Sequence, residues 1–254
     1  MSVVTVFNQK GGVGKTTTCV NLTAALARMQ RRPVAIDLDS QAHLTLSLGL
    51  RGVLGADSMA GFFKEERTLE SLLQTAPGGM QVIPAHLELA KVDALFGSNK
   101  SIAGRLRAGV RSSFPHNGFP ILIDCCPMMG VLTLNAVLAA DRVLIPVSAD
   151  YLSLQGVHRL DAALQALEKT LKRSFPRKVV VTRFDSRRRL SYEIYEKLGQ
   201  HVGEALCRTC ITENVSLAES PGHGMDIFSY APQSQGAKDY RLLAEELQGE
   251  GFFD

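Results

Sequence analysis

The run Lys10-Gly11-Gly12-Val13-Gly14-Lys15-Thr16-Thr17 joins three glycines to two lysines and two hydroxyls within eight residues. Glycines at this spacing let successive backbone N–H groups turn inward and surround phosphate oxygens. A helix beginning at the end of such a loop adds the positive end of its dipole. Lys15 is placed to neutralise the β- and γ-phosphates of a nucleotide, and the Thr16 hydroxyl to complete a Mg²⁺ shell. The backbone of Lys10, Gly11, Gly12, Val13, Gly14, Lys15, Thr16 and Thr17 is therefore the expected cradle of a nucleoside triphosphate.

Carboxylates follow in two places. Ala35-Ile36-Asp37-Leu38-Asp39-Ser40-Gln41 sets two acids at the end of an apolar run, either to serve a metal-bound phosphate or to cap a following helix. Ile121-Leu122-Ile123-Asp124 is a second apolar run ending in an acid. Four apolar residues and an aspartate carry little weight alone. In chain order after a phosphate loop, they read as the strand whose terminal carboxylate contacts Mg²⁺ through water.

These groups need a rigid frame. Val3–Phe7, Val34–Asp37, Gln81–Pro84, Ile121–Asp124, Val143–Val147 and Val179–Thr182 are short β-rich apolar runs, as strands buried on both faces require. Amphipathic stretches at Thr16–Arg31 and Leu154–Arg173 lie between them. In the second, Leu154, Val157, Leu160, Leu164, Leu167 and Leu171 share one helical face. Strand–helix alternation predicts an α/β fold: a doubly wound, mainly parallel sheet flanked by helices, with ligands at the carboxyl ends of its strands. Segment 51–118 has the weakest pattern, with loop signals at Pro77-Gly78-Gly79 and Gly97-Ser98-Asn99. Without an internal repeat or low-complexity linker, residues 1–254 are expected to form one domain.

Lys10 separates the loop from an ordinary Walker A motif, and Lys10-Gly-Gly-Val-Gly-Lys15 resembles the deviant Walker A of the ParA/MinD superfamily of P-loop ATPases. Three further blocks resemble the ParA/Soj branch. They are Asp124 to Asn135 with Ala139 to Val147, Asn214 to Pro221 with His223-Gly224, and Tyr230 to Ala237. The resemblance makes the nucleotide of the Lys10 to Thr17 loop ATP, and implies an ATPase with Lys10, Lys15 and Asp39 in catalytic roles and Thr16, Asp39 and Asp124 around Mg²⁺. It also implies an ATP-bound homodimer in which Lys10 reaches the phosphates of the other subunit, as an arginine finger would. Asp39 orients the attacking water in that scheme. The partners implied are non-specific nucleoid DNA and a ParB-like adaptor that stimulates hydrolysis. The implied cargo is a plasmid, a chromosome origin or a protein assembly such as a carboxysome.

The chain departs from the family at three points. Ser40 stands where a proline is usual, and Asp124-Cys125-Cys126-Pro127 replaces Asp-Cys-Pro-Pro. Thr212-Glu213-Asn214-Val215-Ser216-Leu217 replaces Pro-Arg-Asn-Val-Arg-Leu, which removes two arginines. DNA contact must then rest on Lys172, Arg173, Arg177, Lys178, Arg183, Arg187, Arg188 and Arg189, a segment of net charge +7 in a chain of net +3. Lysines and arginines on phosphates bind without reading bases. The alternative is a nucleotide-gated protein-binding switch that does not touch DNA.

Composition bounds the remaining choices. The 254 residues are 45% hydrophobic and 21% charged, as in ordinary globular proteins. No apolar run is long enough to span a membrane. A strand beginning at Val3 leaves no room for a signal peptide, so a cytoplasmic location is expected, and the resemblance implies association with the nucleoid. Residues 238–254 carry a net charge of −3 and would be repelled by anionic lipid, unlike the basic C-terminal helix of MinD. The five cysteines do not suit a disulfide framework. Cys207-x-x-Cys210 lacks a second pair for zinc, so both are expected in the core. With no cysteine between Cys19 and Cys125, the intersubunit cluster of nitrogenase iron protein is excluded.

Overall fold

The computed structural model describes residues 2–96, 102–114 and 118–254. Its centre is a seven-stranded sheet in the order β3-β4-β2-β5-β1-β6-β7. The strands are β1 (Val3–Val6), β2 (Val34–Leu38), β3 (Gln74–Thr75), β4 (Gln81–Ile83), β5 (Ile121–Cys125), β6 (Arg142–Ser148) and β7 (Arg177–Thr182). All pairings are parallel except β3 with β4.

Successive residues of a strand face opposite sides, so each strand feeds two cores. Val3, Ile121, Ile123, Val143, Ile145, Val179 and Val181 pack on one face against Ala136 of α6 (Val131–Ala139), Leu160 of α7 (Tyr151–Leu171) and Ile194 of α8 (Arg189–Val202). Val4, Val6, Leu122, Leu144 and Val180 pack on the other against Leu22 of α1 (Lys15–Arg28) and Leu243 of α11 (Gln235–Gly249). Burial of each such side chain contributes about 1.5–3 kcal/mol, and nearly continuous apolar strands are the consequence.

The apolar face of α11 is consumed by this second core. Tyr240, Leu243, Ala244 and Leu247 are buried, as are Phe252 and Phe253 beyond the helix. No helix among the described residues is long and apolar enough to cross a membrane.

Element ends differ from the expected ones for local reasons. Helix α1 stops at Arg28 rather than Arg31, because Gln30 and Arg32 take left-handed backbone angles. Helix α7 starts at Tyr151, where the Asp150 carboxylate caps it by accepting from the Ser153 N–H. On its stripe Val157, Leu160 and Leu164 are buried, while Leu171 reaches solvent. Segment 51–118 holds strands β3 and β4, joined across the Pro77–Gly79 turn, and helices α3 (Met59–Phe63), α4 (Ala90–Phe96) and α5 (Arg105–Ser113). Most of these elements are too short to leave a readable period. Gly97-Ser98-Asn99 lies outside the described residues. Among the cysteines, Cys19, Cys125 and Cys207 are buried, whereas Cys126 and Cys210 are half-buried.

Gly61 in α3 marks the tightest approach in that segment, since a Cβ there would run into the carbonyl oxygen of Ala56. Gly61→Ala should therefore destabilise the protein by about 1–3 kcal/mol, the usual range for overpacking. Urea denaturation measures this, and an unchanged midpoint would show that the contact relaxes freely.

Candidate nucleotide site

The carboxyl ends of the parallel strands gather the expected residues at one edge of the sheet. β1 ends in the glycine loop, β2 in Asp37 and Asp39, β5 in Asp124, and β7 in Thr182. Beside them opens a cavity of about 760 Å³ lined by Gly11, Gly12, Gly14, Lys15, Thr16, Thr17 and Asp39, with Cys126, Thr182, Arg183, Asn214 and Tyr240 closing its sides, while Asp37 and Asp124 lie buried behind that lining. That volume suits a nucleotide-sized ligand.

The loop is held from several directions. Asn8 donates from Nδ2 to the Pro146 carbonyl at 2.8 Å and accepts from the Lys10 N–H at 3.0 Å. Thr182 donates from Oγ1 to the Val13 carbonyl at 2.9 Å, and an Arg183 guanidinium N–H lies 3.4 Å from the Gly12 carbonyl. Gly12 and Gly14 have φ of 74° and 84°, angles that side chains rarely adopt. Nothing lies within 4 Å of a Cβ placed on Gly11 or Gly12, so that surface is open to a ligand. Gly14 caps α1 without a side-chain acceptor, leaving the first helical N–H groups directed to the cavity.

Lys15 is 7% exposed and donates from Nζ to the Lys10 carbonyl at 2.9 Å. Burial lowers its pKa, and the nearby Asp124 partly offsets this. Lys10 is bound within its own subunit. Its Nζ lies 2.7 Å from both Asp150 carboxylate oxygens and 2.9 Å from Ser153 Oγ. Burial pushes Asp150 up, but bonds from Lys10, Ser148 and Ser153 prevail and hold it at about 2. Asp150 is therefore ionised at neutral pH.

Asp37 and Asp124 are direct neighbours in the β2–β5 register, and both are fully buried. Their roles diverge. Asp37 Oδ2 accepts from Thr45 N–H at 2.9 Å and Thr45 Oγ1 at 2.7 Å, fastening α2 (His43–Ser47), while Oδ1 accepts from the Asp39 N–H at 3.1 Å. Burial raises its pKa to about 6 against these bonds. Neither oxygen of Asp124 has a hydrogen-bond partner among the described residues. Burial and then Asp37 push its pKa well up, and the Thr16 hydroxyl, close by but not in a well-formed hydrogen bond, opposes this. A buried carboxylate with only a threonine hydroxyl near it, beside a phosphate loop, fits a hydrated divalent cation. Asp39 is half-buried at the cavity wall, and its Oδ1 accepts from the Gln41 N–H at 2.9 Å.

The eight cations between Lys172 and Arg189 do not form one surface, which corrects the expectation of a single patch. β7 runs through the segment, and its six residues span about 20 Å at roughly 3.3 Å each. Arg183, Arg187, Arg188 and Arg189 lie beyond its cavity end and are exposed. Lys172, Arg173, Arg177 and Lys178 lie at or before its opposite end. Arg177 pairs with Asp161 and Glu168, and Lys178 with Glu250, so both are committed inside the molecule. Arg173 donates to the Leu138 and Ala140 carbonyls. At the cavity end, Arg187 and Arg188 pair with Asp185, Arg189 pairs with Glu193, and Glu213 lies near enough to raise the Arg187 pKa.

Sequence reasoning did not single out Asn8, Asp150, Ser153, Thr182 or Tyr240. Tyr240 lies against α1 with its hydroxyl 3.1 Å from Thr18 Oγ1. The one local signal was at Asp150, an acid at a helix start.

Comparison with known proteins gives the same answer as the geometry. A family model described as an AAA domain matches residues 1–176. Chromosome-partitioning ATPase Soj of Thermus thermophilus is 38% identical over 245 residues, covering 94% of this chain and 92% of that protein. Sporulation initiation inhibitor protein Soj of Bacillus subtilis is 33% identical, covering 98% and 99%. A cobyrinic acid a,c-diamide synthase from Mycobacterium smegmatis, solved with an ATP analogue and magnesium, superposes with TM-score 0.83 at 26% identity over 98% of this chain and 94% of that one. Apo McdA from Cyanothece shares the fold, with TM-score 0.86 at 21% identity over 97% and 99%. A phosphate loop carrying Lys10, a buried Asp124 at the neighbouring strand end and near full-length relatives agree: the chain belongs to the Soj/ParA family of P-loop ATPases.

Proposed function

We propose that this ATPase is a nucleotide-driven positioning switch. ATP and Mg²⁺ support a homodimer that holds DNA without sequence preference, and an adaptor protein of ParB type stimulates hydrolysis and release. The cargo class is a plasmid, a chromosome origin or a protein assembly. A cytoplasmic, nucleoid-associated location belongs to the same reading, which the names of the Soj and ParA relatives support.

The observation that carries the reading is the paired lysine arrangement around an open glycine loop. Lys15 and the backbone of Lys10 to Thr17 would hold the phosphates. Thr16, Asp39 and Asp124 would hold Mg²⁺ through its water shell, and among the described residues Asp124 makes no well-formed hydrogen bond. Bound there, the metal neutralises phosphate charge. Asp39 would orient the attacking water from the cavity wall. Lys10 would exchange its Asp150 and Ser153 contacts for the phosphates of a second subunit.

One observation favours the alternative, a switch that binds protein and not DNA. Glu213 and Ser216 stand where the family carries arginines, and Glu213 adds negative charge beside Arg187.

Lys15→Gln should abolish ATP binding, read as loss of the thermal shift given by Mg-ATP; a retained shift would remove Lys15 from the phosphate site. Asp39→Ala should lower turnover by about 10²-fold or more and leave an ATP-bound dimer on size-exclusion chromatography. Unchanged turnover would refute the role of Asp39. Replacing Arg187, Arg188 and Arg189 by Ala should weaken ATP-dependent DNA co-sedimentation equally for unrelated sequences. Wild-type protein that sediments with DNA in no nucleotide state would favour the protein-binding alternative.

A further inference from the structure

The end of the sheet opposite the nucleotide cavity carries an arginine cluster that the ATPase site does not use. Arg107 and Arg111 are one turn apart on α5 and both are exposed. Arg173, just past α7, meets them over the last turn of α6. Arg107 and Arg173 both donate to the Leu138 carbonyl, at 3.4 and 2.8 Å, and Arg173 also donates to the Ala140 carbonyl. Arg111 lies 2.6 Å from Asp141, and Arg173 lies 3.5 Å from the same carboxylate.

Three guanidinium groups thus share one carboxylate and the carbonyl end of a helix. The crowding has a signature: burial lowers the Arg173 pKa, and the charges of Arg107 and Arg111 lower it further, with Asp141 opposing. One arginine would suffice to cap the α6 carbonyls. Two more with a single acid leave an uncompensated positive surface, and Lys172, the neighbour of Arg173 in the chain, is exposed. The cavity-end loop is different, because Asp185, Glu193 and Glu213 answer its arginines.

We infer that Arg107, Arg111 and Arg173, with Lys172, form a second phosphate-backbone contact for double-stranded DNA, on the far side of the molecule from the nucleotide. The inference rests on the DNA-binding reading above and extends it to residues outside the basic segment. Arginines held by carbonyl oxygens are pre-set for bidentate contact with phosphate, and such contact carries no sequence preference. The surface is remote from the glycine loop, so it adds to the DNA contact of the ATP-bound dimer without touching the nucleotide.

Fluorescence anisotropy with two unrelated 30-base-pair duplexes, between 50 and 200 mM salt, tests this with ATP, with ADP and without nucleotide. Arg107→Ala combined with Arg111→Ala should weaken binding in the ATP state by about tenfold or more at low salt, and reduce the salt slope by about two. Turnover without DNA should stay at the wild-type rate. The double lysine variant should keep the wild-type salt slope but bind with an affinity between wild type and double alanine, and Asp141→Asn should tighten binding. A folded double alanine variant with wild-type affinity and slope overturns the surface; if Arg187→Ala, Arg188→Ala and Arg189→Ala together then abolish binding, the DNA reading survives. Wild-type protein that binds neither duplex in any state refutes both. Binding of polyglutamate that depends on Arg107 and Arg111, with DNA binding unaffected by them, overturns DNA as the occupant.

Discussion

Everything at the cavity depends on the in-register placement of two buried acids, Asp37 of β2 beside Asp124 of β5. Parallel pairing puts the carboxyl ends of β1, β2 and β5 on the same edge, so the glycine loop and both acids arrive together. Two carboxylates side by side in an apolar sheet repel and lose hydration. The fold resolves this for Asp37 with the hydroxyl and N–H of Thr45. It leaves Asp124 with no well-formed hydrogen bond among the described residues and sets Lys15 and Thr16 nearby. In the function proposed above that carboxylate is what would draw a cation, and a slip of one residue in β5 would turn it to the other face of the sheet.

The same parallel arrangement gives the molecule two chemically distinct ends. Strand termini at one end present acids and open N–H groups. At the other end the carbonyl terminus of α6 is surrounded by arginines. β7 connects the two, with Arg177 and Lys178 neutralised at its start and Arg183 exposed just beyond Thr182. Charge counted along the chain merges these ends, although the strand between them holds them apart.

Local features were the legible ones. The glycine loop, the acids at strand ends and most of the strands announce themselves within windows of a few residues, because their chemistry depends on neighbours in sequence. Asp150 holds Lys10 from 140 positions away, and Tyr240 meets Thr18 across 222. No period or motif encodes such pairs; they exist only once the sheet has brought α7 and α11 to the glycine loop. β3, at two residues, is too short to show alternation. The basic segment misled for the converse reason: proximity in sequence became separation in space when a strand formed inside it.

The hydrogen bond from Thr182 to the Val13 carbonyl spans 169 residues. Long-range contacts of this kind form late, since the chain between them must already be ordered. β7 is an edge strand that pairs with β6. During synthesis the glycine loop emerges well before β7, and the contact that closes its outer side must wait for that strand. Partly made chains therefore lack the finished cradle, and nucleotide can stabilise the sheet only after the sheet is whole.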